Sequence, residues 1–339
     1  MNDVLGTPLP IAAAPMAGGP TTVALSAAVA RAGGFPFLAA GYKTVEAMAD
    51  EVEALRRQAP SFGVNLFVPQ RWPVDQQAVA DYAGELAPWA ADFGVEATPP
   101  TGSDDDFFTE KVAHLVAHPV PVISFTFGLP GADVVRALQL VGSRVFATVT
   151  SPDEAVAAAG VGADALVVQG PGAGGHSAVF DPHAWPPPNE TVDVLRAIGR
   201  VTDLPLIAAG GIDGPTAVRA LLDQGAAAVS VGTLLLRCDE AGTNTVHRAA
   251  LARTDWADTV MTRAFTGRPA RSLPNRFATT FATSAPAAYP EVHHLTRPLR
   301  QAALRRGDAE FVHLWAGAGY RHATTGPAGE VIARLANNL

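Results

Sequence analysis

Two kinds of segment alternate along the chain. Short apolar runs bounded by glycine or proline fall at 11–16, 35–40, 62–67, 120–127, 144–150, 165–169, 204–209 and 227–231. Between them lie alanine-rich stretches with helical character, at 22–32, 45–58, 107–117, 132–141, 153–159 and 215–224. Strict alternation of strand and helix demands a parallel sheet with right-handed crossovers. Eight such units is the number that closes a (β/α)8 TIM barrel, and an open doubly wound sheet is the alternative.

Most units start 21 to 27 residues apart, but two intervals are longer. One holds residues 69–106; the other holds a glycine loop with a proline-rich sequel. Insertions after a strand fall on the C-terminal face of a barrel, where ligands bind. Beyond Val231 the pattern changes, because 238–304 has no convincing strand and carries several arginines and aromatics. The expected α/β organisation is therefore a barrel over 1–236, completed by 302–339. A mainly helical subdomain over 237–301 would lie across its mouth. Asp104, Asp105 and Asp106 read as a charge complement to the N-terminus of helix 107–117.

Composition narrows the partners. With 48% hydrophobic residues in 339, the chain can bury a sizeable core. A net charge of −8 and the lack of any basic block argue against nucleic acid or an anionic membrane as partner, so the expected ligand is small. The single cysteine, Cys238, excludes a disulfide framework, and without a neighbour at ligand spacing it gives no reason to expect a metal. The first residues lack a positive region and are broken by Pro8 and Pro10, and no apolar run reaches membrane length. The expectation is a cytoplasmic protein, with a homodimer left open.

The stretch 165–182 is the most informative. A buried strand, 165–168, breaks into a loop that ends on His176. Gly170, Gly172 and Gly175 satisfy the spacing of a dinucleotide fingerprint, but prolines 182, 186, 187 and 188 follow where a helix is required, so that reading is rejected. What remains is a glycine loop able to lie against a planar or anionic ligand, with His176 as the group suited to proton transfer. Gly210 and Gly211 after the seventh strand, with Gly232 and Thr233 after the eighth, have the position of a barrel phosphate site. Asp213 reads as the N-cap of the helix beginning at Pro215. Pro15 and Met16 after the first strand, and Asn65 at the end of the third, could meet the other end of a long planar ligand. An amide in an apolar strand is expensive unless satisfied, and Asn65 offers both donor and acceptor.

These residues carry a resemblance. The segments Ala14 to Gly19, Phe37 to Tyr42, Phe62 to Phe67, Phe125 to Pro130, Ala173 to His176, Ala208 to Ile212, and Thr262 to Arg271 closing on Asn275, taken in order, resemble the nitronate monooxygenases. That resemblance implies an FMN-dependent TIM barrel with His176 beside the flavin as the catalytic or substrate-contacting residue. It also implies FMN binding at Asn65, Gln169, Gly174, Gly211, Gly232 and Thr233, alongside the glycine-loop and anion-site candidates Gly175 and Gly210. The implied reaction converts an alkyl nitronate and O2 to a carbonyl compound and nitrite. An NAD(P)H-dependent enoyl-thioester reductase of the same barrel class and a flavin-binding protein without turnover are the alternatives. One departure stands out: the family usually continues its histidine motif with Arg-Gly, where this chain has Ser177-Ala178. Arg263, Arg268, Arg271 and Arg276 are close in sequence, and at least one of them is expected to point inward and partly replace that cation.

Overall fold

In a computed structural model of the chain, which describes residues 4–102, 104–337 and 339, each of the eight apolar runs contains a strand. They are β1 (Ile11–Ala13), β2 (Phe37–Ala39), β3 (Gly63–Phe67), β4 (Val122–Thr126), β5 (Arg144–Val149), β6 (Ala165–Gln169), β8 (Leu206–Ala209) and β9 (Ala228–Val231). All pair in parallel, in the order β1-β9-β8-β6-β5-β4-β3-β2. The first and last of that order meet where Phe35, just ahead of β2, donates to the Ile11 carbonyl at 2.8 Å and accepts from Ala13 at 2.9 Å, which closes the barrel. Between the strands run α1 (Val23–Arg31), α2 (Val45–Arg56), α3 (Gln76–Asp92), α4 (Phe108–Ala117), α5 (Ala132–Leu140), α6 (Pro152–Gly160), α7 (Thr191–Ile198) and α8 (Pro215–Asp223). Thr22, Thr44 and Ser151 start α1, α2 and α6 by accepting a first-turn N–H, each cap worth about 1 kcal/mol.

The barrel interior is apolar at one end and polar at the other. Ala12, Phe35, Phe37, Val122, Phe146, Ala165, Ile207 and Ala228 pack with Val4 and Leu5 in one buried cluster. Gly63 is needed there, because a Cβ would stand 2.2 Å from the Phe37 ring. Truncating the fully buried Phe146 to Ala would cost about 3–5 kcal/mol. Two residues further along the strands, on the same inward face, the side chains become Asn65, Ser124, Thr148 and Ser230. The Asn65 amide nitrogen donates to Ser124 Oγ at 2.9 Å, the Ser124 carbonyl at 3.2 Å and Thr126 Oγ1 at 3.0 Å. This belt floors the C-terminal end of the barrel.

Several expectations are corrected. The region 238–304 does contain strands: β10 (Val260–Thr262) and β11 (Ala270–Ser272) form an antiparallel sheet with β7 (Gly175–His176), so the glycine loop ends in a sheet with this segment. Its helices are α9 (Thr245–Ala252), α10 (Arg276–Thr280) and α11 (Glu291–Arg306), and α12 (Ala328–Leu335) returns to pack on α1 and α8. Asp213 does not cap α8; the cap position is Gly214, which has no side chain to accept a bond. Of the three aspartates expected as a charge complement to α4, Asp105 stands at the helix start and accepts from Phe107 N–H at 3.1 Å, but the other two turn elsewhere. Asp106 pairs with the buried Lys111 at 2.9 Å and accepts from Tyr42 N–H at 2.8 Å, while Asp104 reaches His294 on α11 at 2.7 Å. They tether the insertion after β3 to its neighbours. No described helix is long and apolar enough to cross a membrane.

Candidate active site

A cavity of about 710 Å³ opens at the C-terminal end of the barrel, within the range of small-ligand and cofactor sites. Pro15, Met16, Asn65, Gln169, Gly174, Gly175, His176, Gly210, Gly211, Gly232 and Thr233 all line it. One wall is made almost wholly of backbone. Gly172 lies so close to Gly211 that a Cβ would come within 2.9 Å of its Cα, and at Gly174 a Cβ would fall 2.5 Å from the Gly317 nitrogen. Gly317 N–H donates to Thr233 Oγ1 at 3.0 Å and Ala318 N–H to the Gly172 carbonyl at 3.0 Å, so the C-terminal segment completes this wall. Among the described residues the N–H groups of Gly211 and Gly232 meet no acceptor. The helix expected after the eighth strand is only a 3-10 turn, Thr233–Leu235, so the anion-binding capacity lies in these N–H groups rather than in a helix dipole.

Asn65 presents less than the sequence led one to expect. The Ser124 carbonyl can only accept, so it fixes the amide with its nitrogen in the belt and only Oδ1 left without a partner among the described residues. Gln169 holds the glycine loop, accepting from Ala178 N–H at 2.7 Å and donating to the His176 carbonyl at 3.2 Å.

The opposite wall is made of side chains. His176 hydrogen-bonds through Nε2 to Thr266 Oγ1 at 2.9 Å, and its ring is flanked by Phe127 and Trp315. Burial, with Arg268 and Arg300 adding like charge, pulls its pKa down to about 3, so the imidazole is neutral. His247 is pulled down to about 4 by burial. His293 and His313 are held well below the ordinary value, by burial first and then by Arg300. The His293 ring stacks on Tyr42 with centroids 4.4 Å apart. Tyr42 (φ 66°) and Phe127 (φ 77°) both hold left-handed backbone, which is costly for bulky residues and tends to persist at functional sites.

None of the four arginines singled out from sequence lines the cavity. Arg263 stacks on Trp185 and donates to the His183 carbonyl at 2.7 Å; Arg271 donates to the Pro171 carbonyl at 2.7 Å; Arg276 lies over Trp89. Arg268 is fully buried, but it is spent on Gln70 Oε1 and the Val179 carbonyl and covers the Phe127 ring. It braces the loop that follows Ser177-Ala178, both of which are buried. The cavity cations are instead Arg297 and Arg300 of α11. His293, Arg297 and Arg300 recur at i, i+4 and i+7, while Val292, Leu295, Leu299 and Ala303 occupy the other face in the core. That spacing was the available signal for the residues the sequence reading missed.

The sequence profile of a family described as nitronate monooxygenase matches residues 1–338. The nitronate monooxygenase of Pseudomonas aeruginosa is 39% identical over 99% of this chain and 97% of its own length. Among solved structures, the nitroalkane oxidase from Streptomyces ansochromogenes superposes with a TM-score of 0.91 at 44% identity, covering 97% of this chain and 96% of that one. FabK from Thermotoga maritima superposes at 0.75 with 24% identity over 98% and 93%, a likeness of fold alone. On its full-length match to the family and on these relatives, the chain belongs to the nitronate monooxygenase family.

Proposed function

We propose that this protein oxidises alkyl nitronates with O2 to a carbonyl compound and nitrite, and that its flavin is FMN. The observation that carries the reading is one cavity with a backbone cradle on one side and a neutral, enclosed His176 on the other. The family is flavin-dependent, and the residues fit such a group. Gly174, Gly175, Gly210, Gly211, Gly232 and Thr233 form a mainly backbone cradle, with the N–H groups of Gly211 and Gly232, free among the described residues, to hold one phosphate. Pro15, Met16, Asn65 and Gln169 line the same cavity for the ring system. No dinucleotide fingerprint in a Rossmann context serves an adenosine half, which favours FMN over FAD.

Bound there, the flavin supplies electron transfer between substrate and O2, which side chains cannot. The protein's part is binding and proton control. With Nε2 engaged by Thr266, His176 has Nδ1 left to hydrogen-bond the nitro group. A neutral imidazole with a pKa near 3 is a weak base for a C–H proton, so substrates that arrive already deprotonated are favoured over neutral nitroalkanes. Phe127, Tyr42 and Trp315 line the same cavity beside His176.

The test is to purify the protein, identify the flavin by absorbance and mass, and measure O2 uptake and nitrite release with ethyl nitronate. NAD(P)H oxidation with an enoyl thioester is measured in parallel. FMN with nitronate-dependent O2 uptake is expected; thioester-dependent NAD(P)H oxidation without nitrite would overturn the reading.

A further inference from the structure

Arg300 is a cation in a place where charge is costly. It is 6% exposed, lies on α11 and lines the cavity. Its nitrogens reach only neutral acceptors: Nε donates to Thr296 Oγ1 at 3.0 Å, Nη1 to His313 Nδ1 at 3.1 Å, and Nη2 to the His293 carbonyl at 2.8 Å and, more weakly, His293 Nδ1 at 3.4 Å. No described ion pair involves it, and the carboxylates at the cavity mouth are engaged elsewhere, Asp104 with His294 and Asp106 with Lys111. A guanidinium carries five N–H donors, so one N–H remains beyond those four contacts, on Nη1. Neutral partners orient it without cancelling its charge, whereas a carboxylate partner would do both. With no counter-ion of its own, such a buried charge makes an anion in the cavity a favourable partner.

We propose that Arg300 is the specificity-determining residue for substrate charge, its remaining N–H and its uncancelled charge receiving an oxygen of the nitronate's NO2 group. A guanidinium N–H aimed by three fixed partners gives an anion oxygen a defined position, which a freely rotating ammonium lacks. Neutral His176 contributes hydrogen bonding to the same group but no charge selectivity. This inference rests on the nitronate reading above.

Inorganic nitrate, a planar monoanion of the same shape as the nitronate head, is the probe. Nitrate affinity of the flavin-loaded enzyme is measured by calorimetry. Turnover is measured with ethyl nitronate and with nitroethane, for the wild type, Arg300→Gln and Arg300→Lys. Arg300→Gln should weaken nitrate binding and lower kcat/KM on ethyl nitronate by about ten- to hundredfold, with nitroethane changed less than about threefold. Arg300→Lys should fall between. Undetectable nitrate binding by the wild type, unchanged binding by Arg300→Gln, or equal losses on both substrates would overturn the proposal. So would a loss confined to a carboxylate-bearing nitronate, because ethyl nitronate has no second charge. Should Arg300→Gln fail to fold, Arg300→Lys decides: its nitrate affinity falls at least about fivefold if the aimed N–H binds the anion, and unchanged affinity refutes it. The nitrate arm needs no turnover, so Arg300-dependent binding without nitronate oxidation would fault the proposed activity and not this residue.

Discussion

The two walls of the cavity are built by opposite means. The cradle of Gly172, Gly174, Gly211 and Gly317 owes its shape to missing side chains, and added carbons at three of these positions meet other backbone within 3 Å. The facing wall of Tyr42, Phe127, His176, His293, Arg300, His313 and Trp315 is made of large side chains on scattered loops and helices. A backbone cradle cannot be altered by degrees, since almost any substitution fills it. A side-chain wall can be changed one group at a time with the barrel left standing. The cradle therefore fixes what kind of group is held, and the facing wall sets what is done beside it.

The sharpest way to break this division is at Gly211. A Cβ there meets no protein atom nearer than 3.9 Å, so the fold leaves room, but φ is +74° and a branched side chain would stand against the anion site. Gly211→Val is expected to yield folded protein without flavin and without activity, read from the visible absorbance and circular dichroism. A variant that keeps full flavin content would show that the cradle does not hold the phosphate.

On the facing wall the corresponding change is His176→Asn. It should retain flavin and lose about ten- to hundredfold in kcat/KM on ethyl nitronate, the range for losing one hydrogen bond to a charged group. Retention of near-normal kcat/KM would return His176 to a purely structural role in β7.

The brace behind that wall should matter through stability. Arg268 is fully buried and, among the described residues, has no carboxylate in an ion pair; burial pulls its pKa down to about 10. Arg268→Met would leave the Val179 carbonyl and Gln70 Oε1 without their donor while relieving a buried charge. Each acceptor left unpaired typically costs about 1–3 kcal/mol, to be read from urea midpoints. A variant as stable as the wild type would mean that the relief of charge matches the lost bonds.

The same contrast explains what could be read from the sequence. All eight barrel strands were legible because parallel strands are buried on both faces and read as unbroken apolar runs. The cradle was legible because glycine is the local mark of close backbone approach. β10 and β11 were not, since Arg271 and Ser272 interrupt any apolar run, no βα alternation frames them, and the pairing of β11 with β7 spans about a hundred residues of chain. α3 was hidden by Pro88 within it, although Val79, Tyr82, Ala83, Leu86 and Ala90 keep helical spacing. The side-chain wall was hidden for a different reason. Its residues come from positions 42 to 315, and the polar face of α11 looks in sequence like any solvated face until the fold turns it toward a cavity.

The smallest effect concerns acid, and it should fall on one wall alone. The cradle glycines and Thr233 have no titrating side chain, whereas the facing side carries four histidines held neutral. His247 is the cleanest of them: its Nε2 donates to the Trp315 carbonyl at 2.9 Å and its pKa falls from 6.5 to about 4 through burial. Above pH 6.5 it is neutral in both folded and unfolded chains and contributes no pH dependence. Between 6.5 and about 4 the unfolded chain binds a proton that the folded one refuses, so stability is lost as pH falls through this window. At pH 5 the loss is about 2 kcal/mol from this residue. His247→Gln keeps a donor for the Trp315 carbonyl but has nothing to titrate. Stability measured at pH 7.5 and pH 5 should fall about 2 kcal/mol less in the variant than in the wild type, with every other titrating group cancelling in the difference. Equal falls would mean that His247 gains its proton in the folded protein as readily as in the unfolded chain, and that the side-chain wall is open to water rather than sealed from it.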